Sequence, residues 1–246
     1  MKTKLTPNVF LMLVITGLIS FTFSSCDPDD FNCIRGKGTV FTETRNTPDF
    51  ISVDLRVPAT VTITQADNIS VEVKTFDNLL PEILTYVNGS TLIIENDHCL
   101  NVRNDDIEVF ISAPDFSKLK VSGSGEIIST NMLDVADIDL NLSGSGSIDV
   151  GLITAMANSR VSGSGSIWIE GEAYEHNIEI SGSGNIYSFP FYTERTNITV
   201  SGSGNCEVRV SDRLDVNISG SGVVKYKDYP DISSVITGSG KIINAN

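Results

Sequence analysis

The tetrapeptide Ser-Gly-Ser-Gly starts at Ser122, Ser143, Ser162, Ser181, Ser201 and Ser219, and a variant, Thr-Gly-Ser-Gly, starts at Thr237. The steps between copies are 21, 19, 19, 20, 18 and 18 residues. A period this regular marks a repeat architecture, in which one short unit is stacked many times. The flanks repeat as well. The residue before each motif is Val121, Leu142, Val161, Ile180, Val200, Ile218 or Ile236, and the second residue after it is Ile127, Ile148, Ile167, Ile186, Cys206, Val224 or Ile242. Around these columns apolar and polar residues alternate, as in Ile178-Glu179-Ile180 and Val216-Asn217-Ile218. Alternation with β-branched residues is the pattern of half-buried strands. Each unit therefore reads as strand, Ser-Gly-Ser-Gly corner, strand and variable loop.

A unit of this length is too short for a propeller blade, which needs about 40 to 45 residues. One coil of a parallel β-helix fits, with coils stacked at strand spacing, about 4.8 Å, so that equivalent residues form chemically uniform columns. The expected fold is all-β: a single-chain parallel β-helix of about 19-residue coils, right-handed by the rule for parallel crossovers. Glycine suits the corners because a sharp turn needs positive φ or close backbone approach. The serines are expected to form hydroxyl ladders up the stack, by analogy with asparagine ladders in cross-β stacks. The motif fails as a phosphate cradle, since no third glycine and no Lys-Ser/Thr follow it. It fails as a Ca²⁺ roll because an apolar column stands where the required Asp would be. Cys206 occupies that column and reads as a small buried hydrophobe.

Residues 36–118 carry strand patterns without the motif, as in Ile51–Leu55, Val71–Val73 and Ile107–Ile111. Asn88-Gly89 suggests a tight hairpin, and Asp77 to Leu84 a short helical turn. This part reads as irregular early coils or as a cap, which an open stack end needs to cover its strand edge. At the other end, Lys241 and Asn244-Ala245-Asn246 are expected to protect the last coil.

The first residues stand apart. Lys2 and Lys4 precede an apolar run from Val9 to Phe23, and Ser24 and Ser25 precede Cys26. That is the layout of a secretory signal peptide, and the run is shorter than the roughly 20 residues of a membrane-spanning helix. Phe23-Ser24-Ser25-Cys26 resembles a bacterial lipobox, which makes Cys26 the expected lipidation site. Acyl chains there would give an anchor, since each buried CH₂ contributes about 0.8 kcal/mol. The expected organisation is residues 1–25 as a lipoprotein signal peptide, 26–37 as an acidic tether, and 38–246 as the β-helix, irregular over 38–118 and regular over 119–246. Asp27-Pro28-Asp29-Asp30 reads equally as a surface-export signal or as a solvated tether.

The chain has 17 basic and 31 acidic residues. Loss of residues 1–25 would remove Lys2 and Lys4 and no acid, leaving 15 basic residues and a balance of −16. With no basic run, nucleic acid is a poor partner. Cys33 and Cys99 are candidates for a disulfide in the oxidising compartment that export implies. No Cys/His cluster suggests a metal site or cofactor, and His98 and His176 read as surface or loop residues.

The Gly-Ser-Gly-x-Ile units, together with Phe50-Ile-Ser-Val, Val61–Gln65, Asn78–Pro81 and Gly89–Leu92, resemble the "putative auto-transporter adhesin, head GIN domain" family. The resemblance spans about residues 38 to 242 and implies a β-helix at the bacterial envelope, on the cell surface or the periplasmic side of the outer membrane. It brings no catalytic residues with it.

Three functional classes remain open. The first is a non-catalytic adhesin or binding module for glycans, host or matrix proteins, or envelope proteins. For it, the residue after each inward Ile or Cys defines an outward column: Ile128, Asp149, Trp168, Tyr187, Glu207, Lys225 and Ile243. Trp168 and Tyr187 would stack on adjacent coils between Asp149 and Glu207, a combination suited to sugar faces and hydroxyls. The same pair also reads as sheet-stabilising aromatics worth about 0.5–1.5 kcal/mol. The second class is a structural or assembly protein of the envelope. The third is a polysaccharide-active enzyme, for which no cluster of acids with a base appears in one place.

Overall fold

The computed structural model describes residues 33–246. The expected signal peptide, the expected lipidation site at Cys26 and most of the expected acidic tether lie outside the described residues. The strands are β1 (Val40–Thr44), β2 (Ser52–Leu55), β3 (Thr60–Gln65), β4 (Ser70–Phe76), β5 (Ile83–Asn88), β6 (Thr91–Asn96), β7 (Ile107–Ala113), β8 (Lys118–Gly123), β9 (Glu126–Gly144), β10 (Ser147–Gly163), β11 (Ser166–Gly182), β12 (Asn185–Gly202), β13 (Asn205–Gly220), β14 (Val223–Lys227), β15 (Asp231–Gly238) and β16 (Lys241–Asn244). From β9 onward every pairing is parallel, with the corner motifs in register from coil to coil, giving a parallel β-solenoid of about seven turns.

The expected variable loop of each unit is not a loop. β9 to β13 each run 16 to 19 residues without a break. In a parallel stack the coils above and below accept every backbone hydrogen bond, so the chain can bend around the core without leaving the ladder. Differences in coil length are absorbed by register shifts, at Asp149/Gly151, Trp168/Gly171, Ser188/Tyr192 and Thr193/Arg195.

The breaks fall at the Ser-Gly-Ser-Gly corners. The first glycine of each copy has φ between +116° and +133°, apart from the Thr237 copy at +114°. Its carbonyl then receives backbone N–H groups from the next coil: Ser164 and Gly165 both donate to Gly144 O, at 2.9 and 3.0 Å. Both flanking columns are buried through coil after coil, from Val121 to Ile218 and from Ile127 to Val224, and emerge only at the last coil. Each fully buried aliphatic contributes roughly 1.5–3 kcal/mol, and each is shared with its neighbours in the stack.

The ladder that runs up one face is built from amides, not from the expected serine hydroxyls. Asn158 Nδ2 donates to Asp139 Oδ1 at 3.1 Å, Asn177 to Asn158 at 3.2 Å, and Asn197 to Asn177 at 2.8 Å. An amide offers both donor and acceptor across the coil spacing, whereas the corner serines sit where their backbone N–H groups already hold the turn.

The first part is both early coils and a cap. The β2/β3 coil lies between the β6/β7 coil and the β8/β9 coil, because β3 pairs with both β7 and β9 and β2 pairs with both β6 and β8. Beyond this, β4 pairs antiparallel with β7, β1 with β4, and β5 with β6. The β5–β6 hairpin turns through Gly89-Ser90, and a single 3₁₀ turn spans Leu80–Glu82. At the other end, Asn246 exchanges hydrogen bonds with the Asp228 backbone at 2.8 and 2.9 Å, while β15 is exposed along its whole length.

Candidate ligand-binding site

The outward column forms as the repeat register requires. Ile128 pairs with Asp149, Asp149 with Trp168, Trp168 with Tyr187, Tyr187 with Glu207, and Glu207 with Lys225. Trp168 and Tyr187 stack with ring centroids 5.4 Å apart and planes 21° from parallel. Stacking of this kind covers one face of the indole. Its other face is on the side of the Asp149 coil, and Trp168 remains 40% exposed.

On that side lies an open groove of about 440 Å³ lined by Ser129, Thr130, Asn131, Met132, Asp149 and Glu170, among others. Gly151 sits at its base, its N–H donating to Ser129 Oγ at 2.9 Å. Burial, then the charges of Glu170 and Glu126, raise the Asp149 carboxyl above the usual carboxylate range. The groove therefore carries crowded carboxylates on the coils next to the tryptophan, while its Asn131 amide is bonded to the Gln65 backbone and its Thr130 hydroxyl to Thr64. Glu207 does not join it. It lies beyond Tyr187, and its carboxylate is held by Lys225 Nζ at 3.0 Å. Of the four expected ligand residues, Asp149 lines the groove, Trp168 and Tyr187 follow it on the next two coils of the same column, and Glu207 is neutralised outside it.

A second groove, of about 380 Å³, lies around the bend from the first and includes Glu172, Tyr174, Tyr192, Glu194 and Arg209. Outward aromatics at alternating positions signal Tyr174 and Tyr192 in the sequence. Their lateral partners depend on register shifts that no local pattern shows. Phe191, next to Tyr192 on β12, points inward and is buried in the core.

His176 is not at the surface. It is fully buried in the inward column Ala157–His176–Thr196–Leu214. Its Nε2 lies 2.9 Å from Ser159 Oγ, its ring packs edge-on to Phe191 at 5.3 Å, and its Nδ1 has no hydrogen-bond partner. Burial lowers its pKa to about 3, so the ring is neutral. The signal was the parity it shares with Ile178 and Ile180. His98 is exposed beside Glu82 at 2.7 Å. Burial pushes the Cys206 thiol pKa up, so its thiolate is inaccessible at neutral pH. Among the described residues no group of three His, Cys, Asp or Glu side chains is placed to hold a metal ion.

The family model described as "Putative auto-transporter adhesin, head GIN domain" matches residues 49–230. A crystal structure of a putative adhesin from Bacteroides fragilis superposes with a TM-score of 0.81 at 24% identity, covering 86% of this chain and 99% of that one. A putative lipid binding protein from Parabacteroides distasonis gives 0.75 at 23% identity, over 87% and 99%. A putative adhesin from Parabacteroides merdae gives 0.72 at 21% identity, over 87% and 99%. At these identities the likeness is one of fold. No curated protein matches the chain.

Proposed function

Because this chain belongs to the family of putative auto-transporter adhesins with a head GIN domain, we propose that it is a non-catalytic envelope lipoprotein that holds glycans at the groove beside Trp168. The observation that carries this reading is a stacked, half-exposed indole in register with Asp149, whose carboxylate lines a groove together with Glu170 and Ser129. Sugars present C–H faces to aromatic rings and hydroxyls to carboxylates and amides, and such sites combine apolar walls with a few polar groups. Glu207 acts outside the groove, holding Lys225 and closing the far side of Tyr187.

Export and attachment complete the proposal. Cleavage before Cys26 and acylation of its thiol anchor the domain, and the acidic residues that follow keep it clear of the bilayer. Cys33 and Cys99 form a disulfide that ties the start of the domain to the segment before β7. Supporting this, Ile34 bridges Leu100 and its N–H donates to Cys99 O at 2.8 Å. The unreduced secreted chain is expected to be lighter by two hydrogens than the reduced chain in intact-mass measurement. Reduction is expected to remove roughly 2–4 kcal/mol of stability. Equal masses would sink the pairing.

The lipid-binding name of one similar structure suits this chain less well. The inward columns fill the interior with side chains, and both grooves are open to water, so an acyl chain finds no enclosure. The enzyme reading draws on Asp149 and Glu170, two carboxylates sharing one groove, one with a raised pKa. It makes a distinct prediction in the same experiment. The mature chain and its Trp168→Ala variant are incubated on a glycan array, and the bound glycans are assayed for new reducing ends. Selective binding that weakens at least tenfold in the variant, without new reducing ends, is the expected result. Binding indifferent to Trp168 would discard the site, and new reducing ends would replace binding with hydrolysis.

A further inference from the structure

Five aromatic side chains gather on two adjacent strands: Trp168 and Tyr174 on β11, and Tyr187, Phe189 and Tyr192 on β12. The second groove runs beside this aromatic set. Its floor is the column Thr154, Ala173 and Thr193, buried and in register on successive coils. One wall is the row Ile153, Glu172, Tyr192 and Arg209, also in register. The other wall carries Tyr174 and Glu194, at positions one residue past the floor column. Tyr174 is 47% and Tyr192 52% exposed.

The floor hydroxyls are committed within the chain. Thr154 Oγ1 donates to Ala136 O at 2.9 Å, and Thr193 Oγ1 bonds Thr196 Oγ1 at 2.8 Å and Arg209 O at 3.0 Å. Recognition therefore falls to the walls. Arg209 is fixed there: Nε donates to Asp228 at 2.9 Å, Nη1 to the Tyr192 hydroxyl at 2.8 Å, and the guanidinium sits 4.2 Å from the Tyr192 ring centre. This arrangement holds the Tyr192 ring in one orientation before any ligand arrives, which lowers the ordering cost of binding. It also uses the Arg209 charge on Asp228.

We propose that this groove is a second sugar subsite and that it takes an uncharged glycan. The inference rests on the glycan reading of the Trp168 groove. Two exposed tyrosines on facing walls offer ring surface to sugar C–H faces, and Glu172 and Glu194 offer charged acceptors to sugar hydroxyls. From Thr154 to Arg209 the groove crosses three coil steps, about 14 Å at the usual strand spacing, which accommodates a short oligosaccharide lying along the solenoid axis. The charge selects against acidic chains. Glu172 and Glu194 line this groove, Asp149 and Glu170 line the other, and Glu170 and Glu172 stand on either side of Gly171, where the two grooves adjoin. A uronate or sulfate ester brought here meets four carboxylates and two arginines that are already paired, Arg209 with Asp228 and Arg195, over the Tyr174 ring, with Asp212.

The test uses the mature full-length chain with neutral glucan, mannan and N-acetylhexosamine oligosaccharides, and with uronate and sulfated oligosaccharides of matched length. Affinities are compared for wild type, Trp168→Ala, Tyr174→Ala/Tyr192→Ala and Tyr192→Phe, each checked for an unchanged unfolding midpoint. The expected result is binding to a neutral oligosaccharide that weakens about tenfold in the double tyrosine variant and survives in Tyr192→Phe, with acidic oligosaccharides bound at least tenfold more weakly. Loss in Trp168→Ala alone would overturn the second subsite and leave the first standing. Equal or tighter binding of acidic oligosaccharides would overturn the selectivity. Binding unaffected by any variant, or binding to no glycan in the panel, would overturn both grooves as sugar sites.

Discussion

Alanine at Gly182 is expected to destabilise the solenoid by about 3–5 kcal/mol, against about 1–3 kcal/mol for alanine at Gly123. Both are the first glycine of a corner and both have strongly positive φ, +121° and +116°, where a side chain is strained in any surroundings. They differ in what lies beneath. A Cβ on Gly182 would sit 2.7 Å from Gly163 O, whereas a Cβ on Gly123 has nothing within 4 Å. Gly163 O already accepts the Ser183 N–H at 2.9 Å, so it cannot retreat without opening the ladder. The backbone strain is common to the two variants, and their difference isolates the cost of stacking one corner on another. Urea unfolding of the two variants beside wild type measures it. Equal losses would mean that the glycines are required for φ alone and that corner-to-corner contact contributes nothing.

Acid is expected to weaken the fold through His176. Its folded pKa is about 3 and its unfolded pKa 6.5, so the unfolded chain takes up a proton that the folded chain refuses. The sign follows directly: stability from this residue is intact above pH 6.5, falls as pH drops through the window between 6.5 and 3, and levels off below. The slope is about 1.4 kcal/mol per pH unit, several kcal/mol across the window and a large part of the stability of a typical domain. Carboxylates contribute to acid unfolding too, so the test compares wild type with Ser159→Ala/His176→Leu, which removes the imidazole and the hydroxyl that would otherwise be left unpaired. The double variant is expected to lose markedly less stability between pH 6.5 and 4. Parallel pH profiles would show that the buried imidazole carries no such penalty.

The candidate site was legible in part, for a reason visible in particular residues. Trp168, Tyr187 and Asp149 could be placed side by side because they stand at one fixed offset from the corner motif, where coils have had no room to slip. Tyr174 and Tyr192 lie past the register shifts, so their neighbours changed: Tyr192 faces Arg209, not the residue that counting from the motif would select. Glu207 was placed in the correct column, and only its ion pair with Lys225 showed that it is unavailable.

Period-two alternation in the sequence determined which side chains point inward, since successive residues of a strand face opposite ways whatever the fold. The constant corner spacing determined that coils stack in register, and both follow from local geometry alone. His176 obeys the same parity as Ile178 and Ile180, and its chemistry, not its position, is what misled. The tertiary structure decided what depends on residues far apart in the chain. It set the β2/β3 coil between two later ones, turned β1, β4 and β5 into an antiparallel cap, and chose asparagines over serines for the ladder. It also slid unequal coils past one another until two grooves opened beside the stacked rings. These outcomes rest on lateral contacts between coils of different length, and no window of sequence contains both partners.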